Sequence, residues 1–210
     1  MTMAEGVLLV GASGLAREVL AAGITGVIGF LDDDPQLHGE DVGGVPVLGP
    51  VAEAATRTGQ VLVCVGPSGA RRDVVRRLDD LGMDSGRYAT FVARSARVGV
   101  TSDIGAGSIL LDGVVVTADV RVGWHVVVMP NSVITHDDVV ADYATLTSGV
   151  ALAGGVQVGE AAYLGMNAAV RQGVSIGAGA TVGMGAVVLS DIPAEETWAG
   201  VPARRVGERS

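Results

Sequence analysis

The chain has one cysteine, three histidines, no lysine and no apolar stretch near the roughly 18 residues that a membrane-spanning helix needs. Each scarcity excludes something. A lone Cys64, set in the apolar run VLVCVG, rules out a disulfide within the chain and reads as a small hydrophobe on a buried strand. All 14 basic residues are arginine, a bias that codon usage in a GC-rich genome produces, and it carries no functional implication. The formal net charge of -9 repels phosphate backbones, which excludes nucleic acid and an anionic membrane surface as expected partners. The opening MTMAEGVLLVGASG has no basic segment before its four-residue apolar run, so no secretory leader is expected and the cytoplasm is the expected compartment.

What the sequence does have is a repeat. Stepping by six from Val98, every residue through Val188 is Val, Ile or Leu, sixteen in succession. Were about 40% of positions aliphatic, such a run would arise by chance less than about once in a million trials. Four residues after each aliphatic the side chain is mostly small or β-branched, as at Ser108, Val120, Ser132, Ala144 and Ala162. One large and one small inward contact per six residues suit a narrow coil of three faces, closing every 18 residues. Gly105, Gly123, Gly159 and Gly177 recur at that spacing, with Ala141 filling the gap, and are expected to mark tight corners. The repeat predicts a parallel β-helix over 91–193, a little over five coils and on the order of 25 Å tall. The tail 194–210, interrupted by Pro202 just after Pro193 ends the repeat, is expected to cap the last coil.

Residues 1–90 follow another pattern. VLLVGASGLAREVLAA reads as strand, glycine turn and helix; GVIGFLDDDP and VLVCVG read as further strands, and SGARRDVVRRLDDLG as an amphipathic helix. Alternating strands and helices imply a small parallel α/β sheet, half of a full dinucleotide fold. The turn Gly11-Ala12-Ser13-Gly14 lies where a phosphate-binding loop belongs, but Ser13 and Ala16 occupy the later glycine places, so the dinucleotide fingerprint is not met. Asp32 and Asp33 follow the second strand, at the edge where a nucleoside would lie, and equally suit solvated strand ends.

GASG, GFLDDD with GVPVLG, VGPSGARR, the uninterrupted hexapeptide run carrying ITHDD, and the closing WAGVPARR together resemble the PglD/NeuD-like family of bacterial sugar acyltransferases over essentially the whole chain. The resemblance implies a left-handed coil, a homotrimer, acetyl-CoA bound between neighbouring subunits, and a nucleotide-linked amino sugar held by the N-terminal unit. Transfer from a thioester needs a group to take the acceptor's proton and a donor for the developing oxyanion. His136, two residues past the inward Ile134 and so on the coil's outer edge, is the candidate base, with Asp137 to support it. Without the resemblance His136 reads more readily as a surface histidine at a corner. Gly154 stacks one coil above it and matches the family's acetyl-binding position, where its N–H would meet the thioester carbonyl.

Met166 and Met184, also eighteen apart, match positions along the CoA groove. Thr145 is carried to the same cofactor, and Arg204 to the CoA phosphates. Nucleotide-sugar contacts fall on Gly11, Ser13, Gly14, Leu15, Asp32, Asp33 and Gly66. The chain departs from the family at Leu15 and Thr145, where relatives often have histidine, and at Met129, where asparagine is frequent; these bear on the acceptor rather than on the base. O-acetylation, a longer acyl chain, and a non-catalytic nucleotide-sugar-binding trimer are the alternatives. A zinc hydratase on this coil would need three clustered histidines, and only His125 and His136 lie in it, so no metal is expected. His125 reads as a solvated turn residue and His38 as part of a polar loop.

Overall fold

The computed structural model describes residues 6–207. The reading of a missing leader at Met1, the first five residues of the N-terminal unit and the last three of the tail lie outside them. The N-terminal part is a five-stranded sheet of β1 (Val7–Val10), β2 (Val27–Leu31), β3 (Asp41–Val42), β4 (Val45–Gly49) and β5 (Gln60–Val63), ordered β3-β4-β2-β1-β5. The strands pair in parallel except β3, which closes an antiparallel edge hairpin on β4. Helices α1 (Gly14–Ala21) and α2 (Ser68–Asp80) follow β1 and β5. Continuous apolar runs such as VLLV and the VLV of Val61–Val63 bury both sides of these strands, as a covered parallel sheet requires.

The six-residue period builds a prism of three parallel ladders. Face I stacks Phe91–Val92, Ile109–Leu110, Val127–Val128, Thr145–Leu146, Tyr163–Leu164 and Thr181–Val182. Face II stacks Arg97–Val98, Val115–Val116, Val133–Ile134, Ala151–Leu152, Ala169–Val170 and Val187–Val188. Face III stacks Asp103–Ile104, Arg121–Val122, Val139–Val140, Gln157–Val158 and Ser175–Ile176. Partners in each ladder are eighteen residues apart, as Val133 with Ala151 or Thr145 with Tyr163. The aliphatic series is buried except Val98 and Ile104, which pack half-exposed at the open first coil. The tail extends face I: Thr197–Ala199 pairs in parallel with Thr181–Val182, Arg204–Arg205 folds back on it, and Trp198 and Ala203 close over the core.

The glycines expected at corners serve another purpose. Gly105, Gly123, Gly159 and Gly177 lie outside the left-handed region; they are required because the next coil passes so close. A Cβ on Gly159 would sit 2.5 Å from the Ala178 nitrogen, and one on Gly123 2.7 Å from that of Asp142. The corners instead turn through a left-handed residue at every sixth position from Gly107 to Gly185, including Asp119, His125, Asn131, Asp137, Tyr143 and Asn167. Asp and Asn tolerate that conformation better than most side chains. The sheet of the α/β unit docks on face I, where Leu9, Leu15, Phe30, Leu62 and Cys64 share one core with Ile109, Leu111 and Val127.

Candidate functional site

His136 occupies the corner between faces II and III, where its ring stands in solvent with 68% of the side chain exposed. The chain puts it there because Ile134 points inward and Asp137, at φ 64, makes the turn. The turn also brings the Asp137 carboxylate back to the imidazole, with Oδ2 2.8 Å from Nδ1. That hydrogen bond is the main reason the imidazole titrates above its ordinary 6.5; the charges of Asp137 and Asp138 add to it. With Nδ1 donating to Asp137, the neutral ring carries its lone pair on Nε2. One coil above, a Cβ on Gly154 would lie 2.6 Å from Nε2, so only glycine leaves the ring its place. The Gly155 N–H donates to the His136 carbonyl at 2.9 Å, whereas the Gly154 N–H has no partner among the described residues. His136, Gly154, Gln172 and Gly173 line a shallow cleft of about 320 Å3.

A second cavity, about 620 Å3, lies between the α/β unit and face I. Leu15, Gly66, Ser68 and Arg72 line one side; Met129, Thr145 and Tyr163 line the other, with Glu195 from the tail. Thr145 is buried, its hydroxyl 2.8 Å from that of Ser68. Behind it Arg71 is fully buried, with no carboxylate partner among the described residues. Its guanidinium donates to the carbonyls of Val65 and Gly66 on one side, and to those of His125, Tyr143 and Ala144 and the Thr145 hydroxyl on the other. Burial pulls its pKa down to about 10, which leaves it charged at neutral pH.

Three comparisons bear on this geometry. A bacterial transferase hexapeptide model of six repeats matches residues 155–190. A histidine-to-alanine variant of GDP-perosamine N-acetyltransferase from Caulobacter crescentus, solved with CoA and GDP-perosamine, is 32% identical over 98% of this chain and 99% of its own, with a TM-score of 0.89. The chain belongs to the left-handed β-helix family of sugar acyltransferases. The acetyltransferase domain of PglB from Neisseria gonorrhoeae, solved with acetyl coenzyme A, is 29% identical over 97% of this chain and 100% of its own, with a TM-score of 0.88. WeeI from Acinetobacter baumannii is 25% identical over 96% and 100%, with a TM-score of 0.78. No curated protein sequence matches the chain. Membership in this family makes the chain a CoA-dependent acyltransferase on a left-handed coil.

Within this transferase eight of the expected site residues fall into three places. His136, Asp137 and Gly154 share the corner between faces II and III. Met166 and Met184, 49% and 73% exposed, stack on the corner between faces I and II, at the opposite edge of face II. Leu15, Gly66 and Thr145 meet in the interdomain cavity, so Thr145 lies with the α/β residues and not with His136. Asp32 accepts from the Ala12 N–H at 2.8 Å and so ties the Gly11–Gly14 turn to the end of β2; Ser13 caps α1 and donates to the Cys64 carbonyl. Asp33 accepts from Val51 N–H and pairs with Arg77 at 2.6 Å. Arg204 is exposed, its guanidinium on the Ala203 carbonyl.

His125 is not solvated. It turns a corner as expected, but its ring is fully buried, edge-on to Tyr88 with centroids 4.4 Å apart and stacked on Tyr143 at 5.5 Å, because the α/β unit covers that corner. Burial and the Arg71 charge lower its pKa to about 4. Gln172, not singled out from the sequence, stands one further step of eighteen above Gly154 in the cleft, so the same stacking rule could have found it. No such signal marks Arg71, read as one charge of an amphipathic helix. No helix among the described residues is long and apolar enough to cross a membrane.

Proposed function

We propose that this protein transfers an acetyl group from acetyl-CoA directly to the amine of a nucleotide-linked amino sugar. The observation that carries the reading is the pairing at one corner of an imidazole oriented by a carboxylate with a glycine that admits it and presents a free N–H. His136 Nε2 takes the proton as the amine attacks the thioester carbon, and Asp137 stabilises the resulting imidazolium. The Gly154 N–H receives the carbonyl oxygen as it gains charge, and the tetrahedral intermediate collapses with loss of the CoA thiolate. No covalent enzyme intermediate is required. The α/β unit, residues 1–90, holds the nucleotide sugar, and the coil, residues 91–193, holds the donor. We place the reaction in the cytoplasm, the compartment that holds acetyl-CoA.

A trimer is part of this proposal. Face II presents Val115, Val133, Ala151, Ala169 and Val187 outward, an apolar strip between the His136 corner and the Met166–Met184 corner. One protomer cannot set both corners against one CoA. Three copies packed on this strip bring the His136 corner of one beside the methionine corner and interdomain cavity of the next. That arrangement delivers an acceptor bound by one subunit to the base of its neighbour.

The test is CoA thiol release from acetyl-CoA against a panel of UDP-, dTDP- and GDP-linked amino sugars, with light scattering for the assembly. We expect turnover with at least one acceptor, loss of about 100-fold or more in His136→Ala, and a trimeric mass. Turnover retained in His136→Ala, or a monomer with full activity, overturns the reading.

A further inference from the structure

Along each edge of the coil, residues eighteen apart share one environment. The column containing Asp138 runs Ser102, Val120, Asp138, Val156 and Val174, and Asp138 points inward where its neighbours above and below are buried valines. It is fully buried. A carboxylate at such a position is costly unless its oxygens are bonded, and the coil evidently closes here with valine. Both oxygens are occupied. Oδ2 accepts from the Thr135 N–H at 2.8 Å, and Oδ1 accepts from the Val156 N–H at 2.7 Å. Thr135 immediately precedes His136, and Val156 is two residues past Gly154.

Inward serines elsewhere show what the coil needs for cohesion alone. Ser102 accepts from the Val120 N–H and donates to the Thr117 carbonyl; Ser108 does the same with Val126 and Gly123. Both of those hydrogen bonds go to the coil above. Asp138 differs in also holding the first N–H of its own corner. Together with the bond from Gly155 N–H to the His136 carbonyl, it ties the two corners that carry the imidazole and the glycine into one unit.

We propose that Asp138 is a positioning residue for the reaction, fixing the His136 corner against the Gly154 corner. It touches neither substrate. The inference rests on the reading of His136 as base. The test compares Asp138→Val, which matches its column, with Asp138→Asn, which keeps the shape but has one acceptor oxygen, alongside His136→Ala. We expect Asp138→Val to keep its assembly and melt at or above wild type. Its KM values should stay within about twofold, while kcat falls by about tenfold or more and Asp138→Asn lies between. Hydrogen exchange at the Gly155 amide should quicken in Asp138→Val, a readout independent of turnover. A kcat within twofold of wild type together with an inactive His136→Ala overturns this inference alone. An active His136→Ala overturns the base assignment instead. A lower melting temperature with kcat and both KM values worsening together makes Asp138 a residue of the fold, which also overturns it.

Discussion

Replacing Gly154 by alanine separates the fold from the chemistry. Gly154 is not in the left-handed region, so alanine fits its backbone, and a compatible Gly→Ala change stabilises by roughly 0.4–1 kcal/mol through the unfolded chain. The obstacle is the imidazole. The new Cβ would stand 2.6 Å from His136 Nε2, against 3.4–4 Å for ordinary contact, so the ring must retreat by about 1 Å. It can do so cheaply, because 68% of the side chain is in solvent. A shift of about 1 Å at a reacting group costs roughly 100-fold, or about 2.7 kcal/mol of transition-state stabilisation. The alanine N–H remains, so the loss isolates the base from the oxyanion donor. Thiol-release kinetics and thermal melting on the same preparation give the answer: kcat down about 100-fold with a melting temperature unchanged or raised by ~1–4 °C. Wild-type turnover refutes the idea that this stacking places the base. Lost activity with a lowered melting temperature would show that the glycine serves the coil.

The remaining predictions turn on titration and burial. Asp137→Asn, whose side chain suits the left-handed φ of 64, should move the acid limb of kcat/KM to lower pH, because His136 acts when neutral and loses the carboxylate that raises its pKa. An unmoved limb contradicts that assignment. His125→Phe should raise stability, since both ring nitrogens are buried without partners. The gap over wild type should widen on acidification: wild type alone forfeits up to 1.36 kcal/mol per pH unit between 6.5 and about 4, about 3 kcal/mol, as the unfolded histidine charges and the buried one does not. Asp138→Val should show the opposite trend. With burial raising Asp138 from 3.8 to about 6, despite the Val156 and Thr135 N–H bonds and the His136 charge, the wild-type carboxylate costs stability above pH 6, and the cost fades toward pH 4. The melting advantage of valine at pH 7.5 should therefore shrink by pH 5. Parallel pH trends in the two variants contradict these assignments.

The coil was legible because its inward contacts repeat with the geometry: one aliphatic per six residues is the condition for filling a three-sided prism, and each position reports on its neighbours eighteen away. The same rule places Gly154 over His136 from the sequence alone. It failed where the repeat is covered from outside. His125 sits at an ordinary corner of its own coil, and only the docking of Tyr88 and the α/β sheet buries it. The glycine columns were assigned to turning when close approach of the next coil requires them, since one sequence cannot distinguish a missing Cβ demanded by φ from one demanded by space. The true left-handed positions hold Gly, Asp, Asn, His, Tyr and Ala, too mixed a set to stand out. Asp138 broke the inward pattern and could have been noticed as the one charge among small and apolar residues.

Arg71 has a consequence for how such proteins diversify. Of the acceptors that receive it on the coil, all but the Thr145 hydroxyl are main-chain carbonyls, and every solenoid turn presents carbonyls whatever its side chains. The latch between the α/β unit and the coil is therefore nearly indifferent to sequence on the receiving side. Coil side chains can drift without breaking this contact, because an arginine at this place on the second helix of the α/β unit meets the same carbonyls. On the function proposed above, the choice of sugar would change by grafting at this seam while the His136 corner, on another edge, stays untouched.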